Sequence, residues 1–308
     1  MSLLVVGTVA FDKISTPFGQ SDKIVGGAAT YIALAASQFT KKINLVSVIG
    51  DDFPKEFLQE MKNRSIDLQG LQIKEGEKSF FWEGKYHYDM NSRDTLDTQL
   101  NVLADFDPVL PESYVDCDFL MLGNLAPSVQ LSVLDQLGNR PKLVVLDTMN
   151  FWMDIAMEDL KKVIARVDVL TINDEEARQL SGEYSLVKGA RKILEMGPKY
   201  LIIKKGENGA LLMDRDNMFY APAMPLEEVM DPTGAGDTFA GGFMGYLDNS
   251  RDISFENMKR AVIVGSALAS YSVEKFGTER LLTLTEEEID HRIQLFVDLV
   301  DFDILLVD

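Results

Sequence analysis

Short apolar runs recur along this chain with helical patterns between them, and that alternation constrains the fold more than any other feature. Leu3 to Val6, Ile43 to Ile49, Phe119 to Leu122, Leu143 to Leu146, Val167 to Ile172 and Tyr200 to Ile203 are dominated by Val, Ile and Leu. None shows the strict alternation of a half-exposed strand, so each reads as a strand buried on both faces. Ala28 to Phe39, Pro54 to Arg64, Ser128 to Leu137, Met157 to Val167, Glu175 to Leu180 and Leu186 to Met196 read as helices. Strands alternating with helices require right-handed crossovers. The expected class is therefore α/β, with three layers: a mostly parallel central sheet flanked by helices. Residues 1–308 read as one such domain, without repeats, low-complexity tracts or long linkers. Thr285 to Val300 opens Thr-Glu-Glu-Glu and spaces its apolar residues as an N-capped amphipathic helix, a structural element.

One stretch breaks the alternation. Ser79 to Asn101 is rich in aromatics and Thr, which predicts two or three strands turning at Glu83-Gly84 and at Met90 to Arg93. The expectation is a small β-sheet lid built from about 13–19 and 72–101, with Ile14 to Phe18 adding a strand. Its aromatics would cover a substrate, clasp a second copy as a homodimer, or simply pack as a hairpin.

Charge narrows the partners. The chain holds 30 Lys and Arg against 49 Asp and Glu, a net charge of −19, which repels nucleic acid and anionic membrane surfaces. A small anion stays admissible where helix ends or a few Lys reverse the field. A single cysteine, Cys117, excludes an intrachain disulfide or a thiolate zinc cluster and fits a reducing cytoplasm. His87 and His291 are isolated and read as ordinary surface or interface residues. No apolar window reaches the roughly 18 residues of a membrane span, and the first residues lack the pattern of a signal peptide.

In parallel sheets ligands gather beyond the carboxyl ends of the strands. That selects Gly7 to Asp12, Gly50 to Asp52, Asp147 to Asn150, Asn173 to Glu176 and Lys204 to Gly209. The most informative segment is Asp231-Pro232-Thr233-Gly234-Ala235-Gly236-Asp237-Thr238-Phe239. A Gly-Ala-Gly turn opening an apolar helix aims unpaired amides and a positive dipole end at whatever lies in front, forming an anion cradle. Asp237 in the first turn adds a carboxylate able to accept a proton from an attacking hydroxyl. Taken alone, the segment also fits a tight turn with a dipole-complementing aspartate. Dinucleotide binding is disfavoured because no apolar strand precedes the motif, and no Walker A sequence is present.

The same nine residues resemble the C-terminal signature of the ribokinase-like, or PfkB, family of carbohydrate kinases. Further features of that family follow in order: Gly7 with Asp12, Gly26-Gly27, Gly50-Asp51-Asp52, Asn173-x-x-Glu176 and Gly206-x-x-Gly209. The resemblance implies an ATP-dependent sugar kinase that moves the γ-phosphate to a hydroxymethyl group of a small carbohydrate. It implies Asp237 as general base, with Gly234, Ala235 and Gly236 as the anion hole. It places Asp12, Gly26, Gly27 and Tyr31 at the acceptor, and Asn173, Glu176, Lys204, Gly206 and Gly209 at the nucleotide. Asn173 and Glu176 would hold Mg²⁺ through water. Asp231 and Thr233, with carbonyls from Val273 to Gly277, would form a K⁺ site. The plainer alternatives are a helix-start charge for Glu176 and a solvated strand-end cation for Lys204.

One departure bears on the substrate. Ribokinases resemble Gly-Gly-Lys-Gly-Ala-Asn at the first helix, whereas this chain reads Gly26-Gly27-Ala28-Ala29-Thr30-Tyr31. Losing the amide and gaining an aromatic admits a nucleoside whose base stacks on Tyr31 or Phe11. A nucleoside kinase on the same scaffold is thus the second reading. The third, from another class, is a catalytically silent sugar-binding protein that kept the fold.

Overall fold

The structure, a computed structural model, describes residues 2–301; position 1 and positions 302–308, which the expected domain includes, lie outside it. The strands are β1 (Leu3–Val6), β2 (Ala10–Thr16), β3 (Gly19–Gln20), β4 (Ile24–Gly26), β5 (Ile43–Gly50), β6 (Ile66–Lys74), β7 (Phe81–Tyr86), β8 (Arg93–Gln99), β9 (Phe119–Leu122), β10 (Leu143–Asp147), β11 (Val169–Asn173), β12 (Tyr200–Lys204), β13 (Ala210–Met213) and β14 (Met218–Ala221). The helices are α1 (Ala28–Ala36), α2 (Lys55–Asn63), α3 (Pro127–Gln136), α4 (Asn150–Ile155), α5 (Met157–Ile164), α6 (Asp174–Ser181), α7 (Leu186–Leu194), α8 (Ala235–Ser250), α9 (Phe255–Ser272), α10 (Glu279–Thr283) and α11 (Glu286–Val300).

Among the described residues nine strands form one sheet in the order β14-β13-β12-β11-β10-β9-β1-β5-β6. It is parallel from β6 to β12 and antiparallel only where β13 and β14 close one edge. Every residue of β1, β5, β9 and β10 is buried, as their apolar-rich runs predict, the polar Asn44, Ser47 and Asp147 included. Successive side chains point to opposite faces. Leu3 and Val5 therefore join the core beneath α1, α8 and α9, while Leu4 and Val6 join the core beneath α3, α5, α6 and α7. The α/β class with helices on both faces of a mostly parallel sheet is thus what the structure shows. At its far end α11 starts with a capping box, Thr285 accepting from the Glu288 N–H and Glu288 accepting from the Thr285 N–H.

A second, smaller sheet runs β3-β2-β7-β8, with β4 paired to β2. Two details differ from the sequence reading. Residues 72–74, expected in the lid, belong to β6, paired in parallel to β5 at the edge of the main sheet. Glu83-Gly84 is no turn: β7 runs straight through with a register shift, because the missing side chain of Gly84 leaves space that the Trp82 ring fills. The reversal falls at His87 to Ser92, closed by the His87 N–H on the Ser92 carbonyl. No helix among the described residues is long and apolar enough to cross a membrane.

Candidate active site

The main sheet ends its parallel strands in front of the amino end of α8. Gly234, left-handed at φ 74°, caps that helix and accepts the Thr238 N–H at 2.7 Å. A Cβ at this position would lie 2.5 Å from the Tyr31 ring, so both backbone and space demand glycine. The Ala235 N–H donates to the Pro232 carbonyl, which removes it from the expected cradle. Those of Gly236 and Asp237 have no partner among the described residues and stand open at the positive end of the dipole.

Asp237 Oδ1 is buried and accepts no hydrogen bond. Burial first, and the Asp147 carboxylate second, push its carboxyl up to about 7, against the opposing charges of Lys204 and Arg93. Asp12, on β2, is 5% exposed, and burial with the nearby Asp231 and Asp237 charges raises it to about 7, against the Gly27 N–H that it accepts. Its carboxylate lies across Gly26, where a Cβ would sit 1.8 Å from Oδ2. Gly27 then caps α1.

Tyr31 is 1% exposed, its ring pressed against Gly234 and its hydroxyl without a partner. Burial and the charges of Asp12, Asp231 and Asp237 drive its phenol well above the ordinary range, so it is a neutral donor. The expected stacking platform is therefore absent, because the ring has no open face. Phe11 is likewise covered, by Phe53 at 5.3 Å and by Lys23 Nζ 3.8 Å above its ring.

On the other side of the cradle, the register pairs Asp147 with Thr171 and Asn173 with Lys204 across β10, β11 and β12. Lys204 Nζ donates to Asp147 Oδ1 at 2.8 Å and lies 3.0 Å from where a side chain at Gly236 would begin. It is thus no solvated strand-end cation. Asn173 and Glu176 bond to each other in a capping box, at 2.8 and 2.7 Å, so their mutual contacts serve α6. Burial raises Glu176 to about 7, with Lys204 opposing. The turn holding Gly206 and Gly209 meets the hairpin of the second sheet, Asn91 lying against Gly206.

Asp231 is fully buried and staples two loops: Oδ1 accepts the Thr233 N–H and Oδ2 the Gly277 N–H, each at 2.9 Å. The described residues contain no cluster of three His, Cys, Asp or Glu placed to hold a metal. Three neighbours escaped the sequence reading as individual residues. Tyr86 of β7 bonds the Thr233 hydroxyl at 3.2 Å, Arg93 of β8 acts on Asp237 and Glu176 by its charge, and Asp147 holds Lys204. Asp147 carried a signal, as the last residue of an apolar strand; Tyr86 and Arg93 carried none beyond their place in the aromatic segment.

Residues 5–284 match the pfkB family of carbohydrate kinases. The chain is 32% identical over 283 residues to the cytidine kinase of Thermococcus kodakarensis, covering 90% of this chain and 98% of that one. Among solved structures, the nucleoside kinase of Methanocaldococcus jannaschii superposes with a TM-score of 0.77 at 22% identity, over 96% and 99% of the two chains. The nucleoside kinase of Burkholderia thailandensis in complex with ADP and inosine superposes with a TM-score of 0.79 at 19% identity, over 96% of each chain. Fold, strand-end site and kinship define a phosphotransferase that acts on an alcohol group. More narrowly, the chain belongs to the pfkB family of carbohydrate kinases.

Proposed function

We propose that the protein transfers the γ-phosphate of ATP to the primary hydroxymethyl group of a nucleoside, cytidine being the first acceptor to test. The observation that carries the chemistry is Asp237: a buried, unpartnered carboxyl oxygen in the first turn of α8, beside open amides and the Lys204 ammonium. Phosphoryl transfer asks a protein mainly for positioning and for positive potential around the migrating group. The Gly234-Ala235-Gly236 turn supplies that potential through the amides of Gly236 and Asp237. As the acceptor oxygen bonds to phosphorus, its proton passes to Asp237, the bond to the bridging oxygen breaks, and ADP leaves.

Asp12 binds two adjacent ribose hydroxyls through its carboxylate, a strong charge-assisted arrangement. The backbone at Gly26-Gly27 and the free Tyr31 hydroxyl line the same space. Lys204, Gly206 and Gly209 face the nucleotide, and Arg93 brings a further cation from the second sheet, which acts as a lid. Glu176 keeps one oxygen that accepts no hydrogen bond from the described residues, which suits a water of a Mg²⁺ shell, with Asn173 beside it. Bound Mg²⁺ neutralises phosphate charge. The loops joined by Asp231, with Thr233, are where K⁺ would bind, and equal turnover in K⁺ and tetraalkylammonium buffers would exclude it.

Kinship with a protein named cytidine kinase favours the nucleoside over a free sugar, which is the second reading. Both acceptors present the vicinal hydroxyls that suit Asp12. Phe18, Tyr88, Leu96 and Leu100 in the lid region are exposed, apolar side chains on which a homodimer would form, in the cytoplasm that the lone cysteine suits.

The test is ADP formation from Mg·ATP across ribonucleosides, pentoses and hexoses. Cytidine or another nucleoside should exceed every free sugar, and the reverse order would reject the nucleoside reading. Asp237→Asn should lower kcat by about 10²-fold or more. An undiminished rate would remove Asp237 as base, and no turnover of any acceptor would favour a silent binding protein.

A further inference from the structure

Asp147 takes no part in the transfer set out above, yet it is buried at 6% exposure inside the site, at the carboxyl end of β10. Its Oδ1 accepts two hydrogen bonds of 2.8 Å, from Lys204 Nζ and from Thr171 Oγ1. The three residues stand on neighbouring parallel strands, so the sheet itself sets their spacing. The Lys204 ammonium makes no other hydrogen bond or ion pair among the described residues. Its ammonium nonetheless stands beside Gly236, one residue from Asp237, and its charge is felt there.

In a site of low polarity an ammonium and a carboxylate this close pair wherever geometry allows. Pairing with Asp237 would occupy the lone pairs that must take a proton and would make the carboxylate a weaker base. The structure shows the other arrangement: Lys204 is bound to Asp147, and Asp237 Oδ1 is bare.

We propose that Asp147 is a positioning residue that holds the Lys204 ammonium at the α8 amides and off the Asp237 carboxylate, leaving that carboxylate free to take the proton of the acceptor alcohol. The proposal rests on the reading of Asp237 as the base. Thr171 keeps Asp147 in this pose from the neighbouring strand. The charged and titratable groups facing Asp237 are Asp147 from β10, Lys204 from β12, Arg93 from β8, Asp12 from β2 and Tyr31 from α1. Asp147 also opposes ionisation of Asp237 directly, so its removal and the release of Lys204 act in the same direction.

The experiment is steady-state phosphorylation of cytidine by Mg·ATP between pH 5.5 and 9, or of the best acceptor from the panel above. Asp147→Asn should lower kcat about tenfold or more and move its acidic inflection down by about one pH unit. A slower enzyme whose base titrates at lower pH is not what general loss of structure produces. With Lys204→Met as background, adding Asp147→Asn should cost little further rate, since no ammonium remains to restrain and only the direct charge of Asp147 is lost. Asp147→Glu, which keeps the acceptor, should recover part of the loss. An inflection that stays put or rises in Asp147→Asn, or rate losses that multiply in the double variant, would overturn the proposal. The double variant decides the matter even if Asp147→Asn alone does not fold. Full activity in Asp237→Asn sinks the reading of the base, whereas an inactive Asp237→Asn with an unmoved inflection in Asp147→Asn sinks only the role of Asp147.

Discussion

Asp12→Asn is expected to make the protein more stable and less active, with a pH dependence that can be worked out beforehand. The carboxyl lies at about 7 in the fold against 3.8 for the free side chain. A difference of about 3 units corresponds to about 4 kcal/mol. The sign follows from proton binding. Because the folded state holds the proton more tightly, this stabilisation is complete below about pH 4, declines above it, and is lost by about pH 7. At pH 8.5 the wild type therefore carries an ionisation cost that asparagine lacks, while the amide oxygen can still accept the Gly27 N–H. In a chain of this length 1 kcal/mol shifts the melting temperature by about 1.5 °C, so the variant should melt about 2 °C higher at pH 5 and about 6 °C higher at pH 8.5. Thermal unfolding of both proteins at the two pH values, followed by circular dichroism, measures the gap. The same change removes the charged acceptor proposed for two substrate hydroxyls and should lower kcat/KM for the nucleoside by about 10²-fold. A gap that does not widen with pH, or a variant less stable than wild type at pH 8.5, would refute the buried-charge argument.

Three further outcomes are expected. Because Asp12 and Asp237 both sit near 7 and both act as carboxylates in the proposed reaction, log kcat/KM should climb with a slope approaching two below about pH 6 and level off above about pH 8; a slope of one assigns the work to a single carboxylate. Gly234→Ala forces a side chain into the Tyr31 ring at φ 74° and should cost about 1–3 kcal/mol by denaturant titration, with loss of turnover; wild-type values would mean that the turn is not constrained as described. Arg93→Ala removes a cation that favours the charged form of Asp237, so the acidic inflection of kcat should rise as the rate falls; an inflection unchanged in a pH-rate series would place Arg93 outside the site.

Much of the architecture was readable in the chain because it depends on local properties. A strand buried on both faces is dominated by apolar residues, and Leu3–Val6, Phe119–Leu122 and Leu143 to Leu146 obey. The same holds for the amino end of α8, where Gly-Ala-Gly before an apolar run dictates a glycine-capped start with open amides. Where local signals are ambiguous the reading slipped: Gly84 looked like a turn and is a strand residue making space for a tryptophan ring. Residues 72–74 looked like lid because an edge strand, exposed on one side, shows weak apolar patterning.

The sequence by itself determined the class of fold and the glycine-capped start of the apolar helix at Gly234. Tertiary structure alone decided what each side chain there can do, since reactivity depends on burial and on neighbours distant along the chain. Lys204 and Asp147 are 57 residues apart, yet the parallel register makes them one ion pair. Tyr31 became a prop beneath Gly234 with a bare hydroxyl, rather than a stacking surface, only when α1 packed against α8. The carboxyls of Asp12 and Asp237 reach about 7 because the fold withdraws them from water and sets like charges nearby, neither of which local sequence expresses.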